Sequence, residues 1–165
     1  ILIGNQDCSS CADGYLLGEN GYCYLQTDVD ILQEFINNSQ TSINLEMDVD
    51  LNNTVEPLEL GWQLWEEGGL IHWICDDVPS PFYLYNYNCG LSGKLPEKIN
   101  ELDSIVKLHL QKNNLEGVIS DSICSLDILQ SSDYWFKMDY NYLCPPYPDC
   151  IKLWNANHSI FIRKL

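Results

Sequence analysis

Apolar and polar positions change period along this chain, and the clearest pattern lies between residues 91 and 143. Leu108 and Leu110 alternate with Lys107, His109 and Gln111, the period of two of a short strand with one buried face. That strand sits within a longer period of 24 residues. Gly93-Lys-Leu95-Pro96-Glu-Lys-Ile99-Asn-Glu-Leu102 recurs as Gly117-Val-Ile119-Ser120-Asp-Ser-Ile123-Cys-Ser-Leu126, with Leu91 and Leu115 at the same offset. A third copy, Phe136-Lys-Met138-Asp-Tyr-Asn141-Tyr-Leu143, starts 28 residues after Leu108, its four extra residues falling in a loop over 127–134. Upstream, the first strand has two candidates. One is Leu84, Asn86 and Cys89, and the other is Leu70-Ile-His-Trp73-Ile-Cys75 with 76–88 as an insertion. One such layer cannot bury its own apolar face, so neighbouring layers must stack on it.

Before the repeat the period is helical. Thr27 or Asp28 is placed to cap a helix whose apolar face carries Ile31, Leu32, Phe35 and Ile36. Pro57 suits the first turn of a second helix carrying Leu58, Leu60, Trp62, Leu64 and Trp65.

Ile105-Val-Lys-Leu108-His-Leu110-Gln-Lys-Asn113-Asn-Leu115 fits L-x-x-L-x-L-x-x-N-x-L at every defined position, and the stretch from Leu91 to Leu126 resembles the leucine-rich repeats of plant receptor type. It departs from them at Ser120, where proline is usual, and at Cys89, which stands in the asparagine position. The resemblance implies a curved parallel sheet with a concave, partner-facing side. The expected fold is α/β, a short leucine-rich-repeat solenoid of about three parallel strands. A Cys-rich segment (1–25) and a helix–loop–helix cap (26–69) precede the repeats (70–143), and a Cys/Pro cap with an apolar tail (144–165) follows them.

Composition adds a compartment. Eight cysteines, Cys8, Cys11, Cys23, Cys75, Cys89, Cys124, Cys144 and Cys150, are even in number and lack the paired spacing of a zinc site, which favours disulfides. Cys75 with Cys89, and Cys144 with Cys124 or Cys150, are the expected pairs, although spacing does not fix connectivity. Sequons at Asn37, Asn52 and Asn157 agree with secretion, and a chain starting at Ile1 looks like a mature or excised product. A net charge of −16 repels nucleic acid and anionic membranes and suits calcium or basic partners. No apolar run is long enough to span a bilayer.

The candidate metal site is "DVDLNNTVEPLE". Asp48, Asp50, Asn52, Thr54, Glu56 and Glu59 fall at positions 1, 3, 5, 7, 9 and 12 of an EF-hand-like calcium loop, where alternate residues turn oxygens inward and the last glutamate supplies two. Position 6, normally glycine, is Asn53, the next most tolerant residue of a left-handed backbone. If Asn52 is a ligand, a glycan and calcium compete for it. Candidate partner contacts are Lys107, His109 and Gln111 on the outward strand face, and the alternating Tyr83, Tyr85 and Tyr87. His72, His109 and His158 belong to no catalytic motif, and no paired carboxylates are positioned as in a hydrolase, so an enzyme is not expected. The expected function is an extracellular, non-catalytic module for protein contact, adhesion or assembly, including contact with its own copies in a filament or surface layer. The alternative is recognition of a glycan, peptide or foreign enzyme through the repeat face.

Overall fold

The computed structural model describes residues 10–76, 88–130 and 135–152. Among them the chain forms a mixed α/β fold with one long α-helix, a short helical stretch near residue 150, nine short strands and three disulfides. β1 (Tyr15–Leu17) and β2 (Cys23–Leu25) pair antiparallel beside the Cys11–Cys23 disulfide, and β2 runs directly into α1 (Gln26–Asn38). The helix buries Val29, Ile31, Leu32, Phe35 and Ile36, the face its period marks. Its start differs from the expected cap. Leu25 is the N-cap and offers no side-chain bond, while Asp28 lies fully buried in the first turn, its Oδ2 accepting from the Leu70 amide at 2.8 Å. That carboxyl joins the helix to the sheet instead of closing the helix end.

Where a second helix is expected, the chain forms a single 3-10 turn (Pro57–Glu59) and then a hairpin of β3 (Trp62–Glu66) and β4 (Gly69–Ile74). Backbone chirality explains the difference. Glu67 and Gly68, with φ of 51° and 86°, form the two-residue turn whose twist matches that of the strands it joins. Gly61, with φ of 73°, breaks the preceding turn.

Next come β5 (Ser92–Lys94), β6 (Lys107–His109), β7 (Asn114–Val118), β8 (Phe136–Lys137) and β9 (Tyr142–Cys144), which alternate between two sheets. β4, β6 and β8 lie parallel in one, with β3 as its antiparallel edge, and β5, β7 and β9 form a wholly parallel three-stranded second sheet. Trp73 pairs with Leu108 and Leu108 with Phe136, which selects Leu70 to Cys75 as the first copy and keeps the predicted 28-residue step to the third. Leu84 and Asn86, from the other candidate, lie outside the described residues. Between the sheets Trp73, Leu91, Leu108, Leu110, Leu115 and Phe136 are essentially inaccessible, and Ile99 and Ile123 enter from two matching 3-10 turns.

Two buried asparagines tie the layers. Asn113 accepts from the Leu91 amide (2.9 Å) and donates to the carbonyls of Cys75 (2.6 Å), Leu110 and Gln111 (3.2 Å each). Asn141 repeats this set one layer on, accepting from Leu115 (3.0 Å) and donating to Leu110 (2.8 Å), Met138 (3.0 Å) and Asp139 (3.4 Å). Each amide satisfies backbone groups that would otherwise be buried without partners. Where the first layer has Cys89 in place of asparagine, a disulfide to Cys75 makes the link.

Both ends of the second sheet are covered. Along β5, Ser39 accepts from the Ser92 amide (2.9 Å), Asn38 donates to the Lys94 carbonyl (2.9 Å) and Ser42 to that of Gly90 (2.6 Å), a polar strap in place of another strand. At the other end the short helical stretch 149–152 buries Ile151, and Tyr147 donates to the Leu143 carbonyl (3.0 Å). The disulfide here joins Cys124 to Cys150. The expected pairing through Cys144 is therefore corrected: Cys144, beside the Pro145-Pro146 turn, has no disulfide partner among the described residues, and Cys8 lies outside them.

Candidate functional site: an acidic loop

The loop from Asp48 to Glu59 is held at both ends by the core. Val55 is buried within it, and Leu60, inaccessible just after it, gives its carbonyl to Trp73 Nε1 at 2.8 Å. Trp73 in turn meets Phe35 of α1 edge-on, with ring centroids 4.9 Å apart. The fold thus fixes the loop's ends and leaves its middle in solvent. Val55 carries no charge and is not among the predicted ligands. Nothing in the sequence singles it out, since Val49 and Leu51 in the same loop are apolar and exposed.

Backbone amides face the carboxylates. Asp48 accepts from Asn52 (3.2 Å) and Asn53 (2.7 Å), Asp50 from Asn52 (3.1 Å), and Glu59 from Val49 (2.7 Å), Asp50 (3.3 Å) and Glu56 (3.1 Å). Asn53 adopts the predicted left-handed conformation at φ 70°, and Leu51 a second at φ 63°. The result brings oxygens of Asp48, Asp50 and Glu59 within 4.8 Å of one another, a group able to hold a metal ion.

Glu56 lies outside that group. Asn52 Nδ2 bridges Asp50 and Glu56 (2.9 Å to each), and Thr54 Oγ1 contacts Asn52 Oδ1 and, at 2.6 Å, Glu56. The hydrogen bonds with Thr54, then with Glu59 and Asn52, hold the Glu56 carboxyl down at about 2. Burial, followed by the bond shared with Glu56, pushes Glu59 above the ordinary range. The predicted six-residue set thus divides into three converging carboxylates and a polar chain beside them. It also lacks the flanking helices of an EF-hand, since 3-10 turns at Leu45–Met47 and Pro57–Glu59 stand in their place.

The predicted partner face is different in character. Lys107, His109 and Gln111 are only 4%, 6% and 6% exposed, so they are not surface contacts. His109 Nδ1 lies 3.5 Å from Asp76 Oδ2, and Lys107 Nζ stands 5.7 Å from the Trp135 ring centre. His72 lies between Trp62 and Trp135 at centroid distances of 6.1 and 6.0 Å, and burial, then the charges of Lys107 and His109, lowers its affinity for a proton. Strand alternation identified which residues leave the inter-sheet core, but not that the opposite face is itself covered. Tyr83, Tyr85 and Tyr87 lie outside the described residues, as does Asn157. Of the other sequons, Asn37 is exposed at the end of α1, accepting from Gln33 (3.1 Å), and Asn52 is exposed in the acidic loop. No helix of the described residues is long and apolar enough to cross a membrane. Three disulfides agree with an oxidising compartment.

Compared with known proteins, this chain matches no family model, no curated protein and no solved structure.

Proposed function

We propose that this chain is an extracellular, non-catalytic leucine-rich-repeat module that makes protein contacts, including contacts with its own copies, and that calcium stiffens it at the acidic loop. The observation that carries the repeat reading is the duplicated amide network of Asn113 and Asn141, one set per layer, between parallel strands that alternate between two sheets. Stacked layers of this kind present an extended surface suited to contact with a partner.

The calcium reading rests on the convergence of Asp48, Asp50 and Glu59 in an oxygen-only set. Next to them Leu45, Val49 and Leu51 are 55%, 79% and 81% exposed. Three bulky aliphatic groups this bare within residues 45–51 offer a partner apolar surface to cover. A cation that rigidifies the loop would fix these side chains for docking.

Thermal melting and sedimentation, each with calcium or a chelator, test the proposal. For a site of the weak extracellular class, with a Kd of about 0.1 mM, about 1 mM calcium adds about 1.4 kcal/mol of stability. Glu59→Gln abolishes that gain. Calcium promotes self-association, and Leu51→Asp prevents it. Superimposable melts with calcium and chelator would remove the cation, and a monomer under every condition would remove assembly.

A further inference from the structure

Two cavities of about 240 Å³ and 740 Å³ adjoin along the turns leading into the second sheet, and both are lined by Lys112, Asn113 and Asn114. These three residues form a wall common to both, a groove in two parts. One end reaches Tyr140 and Tyr142, and the other the turn carrying Asn44 and Glu46. The larger part alone is on the scale of ligand sites. We propose that this groove binds a neutral oligosaccharide, an activity independent of the protein-contact reading above.

The lining chemistry carries the proposal. Tyr140 and Tyr142 are 47% and 56% exposed, and an aromatic face beside a polar tip suits the C–H face of a pyranose ring and its hydroxyls. Asn114, exposed between the two ends, adds an amide able both to donate and to accept. The floor is rigid, because the Asn113 and Asn141 amides are committed to the backbone beneath it. Lys112 and Tyr140, each immediately before one of those asparagines, share a left-handed backbone at φ 56°. This fixes where their side chains leave the chain, and a fixed wall loses little freedom on binding.

Charge selects a neutral ligand. The groove carries Lys112 and Glu46, of opposite sign, within a chain of net charge −16 that repels acidic polysaccharides. The groove is distinct from the strand face expected from sequence, since Lys107, His109 and Gln111 do not line it.

Saturation-transfer NMR on the intact chain, with soluble cello-, chito-, manno- and xylo-oligosaccharides and an acidic oligogalacturonide as probes, tests the site. We expect at least one neutral oligomer to bind and Tyr142→Ala to weaken it by about tenfold, the scale of one aromatic stacking contact. Asn114→Ala weakens it less. Both side chains are exposed, so both variants should melt as the parent does. The proposal is overturned if no neutral oligomer binds, if only the acidic one does, or if binding survives Tyr142→Ala in a folded protein.

Discussion

The buried carboxyl of Asp28 is expected to contribute more stability to this fold in mild acid than at neutral pH. Its side chain is inaccessible, Oδ2 accepts from the Leu70 amide at 2.8 Å, and Oδ1 has no hydrogen-bond partner. Burial raises its pKa from 3.8 to about 6 against the lowering effect of the Leu70 bond, and the Asp103 carboxylate adds to the rise. Because the folded value lies above the unfolded one, the ionised carboxylate opposes folding. That cost is complete about one unit above pH 6, falls as pH drops through the folded value, and disappears below the unfolded value of 3.8. A rise from 3.8 to about 6 corresponds to about 3 kcal/mol, or roughly 6–12 °C in melting temperature for a chain of this size. The assay is urea or thermal unfolding between pH 4 and 7 for the parent and for Asp28→Asn. The variant keeps an oxygen for the Leu70 amide and cannot ionise, although its NH₂ replaces an unpartnered oxygen at a cost of about 1–3 kcal/mol. The informative quantity is therefore the difference between the two proteins as a function of pH, which also subtracts the general effect of the −16 charge. The parent should lose about 2.4 kcal/mol relative to the variant from pH 4 to pH 7, the part of the full effect that falls within that window. Parallel pH profiles would refute the reasoning.

Two further outcomes follow from backbone chemistry. Asn141→Ala strands the Leu115 amide and the Met138 carbonyl and leaves the Leu110 carbonyl only its longer bond from Asn113, and should cost about 2–4 kcal/mol by urea unfolding, whereas Asn114→Ala one layer earlier, at an exposed position, should cost less than about 0.5 kcal/mol. Gly61→Ala combines a left-handed φ of 73° with a Cβ placed 2.5 Å from the Ile74 carbonyl oxygen and 2.7 Å from Cys75 Sγ, and should cost about 2–4 kcal/mol, read as a lowered melting temperature under oxidising conditions.

What could be read from the sequence was what repeats. Leu108, Leu110 and Asn113 recur with fixed spacing, and the 28-residue step to Phe136 appears directly in strand register. The left-handed turn at Asn53 was legible because few residue types tolerate that backbone. The second helix failed for a complementary reason. Trp62, Leu64 and Trp65 fit a helical face and a strand equally well over so short a run, and Glu67-Gly68 decides the matter only once its backbone geometry is known. The partner face of Lys107, His109 and Gln111 failed because alternation reports which side of a strand a residue occupies, and burial on that side depends on what the rest of the chain lays over it. Within the acidic loop, spacing located the carboxylates. It did not reveal that Asn52 would bridge Asp50 and Glu56 and leave Glu56 outside the converging group.

The disulfides also set how far this chain can be drawn out under load. Bridges across sequence separations of 12, 14 and 26 residues withhold those segments from any tether attached at the two ends. At about 3.5 Å per residue, the segment between Cys124 and Cys150 alone would add about 9 nm of contour length once reduced. In an oxidising medium the unfolded module is therefore a short leash. Mechanical reach becomes a property that redox conditions adjust.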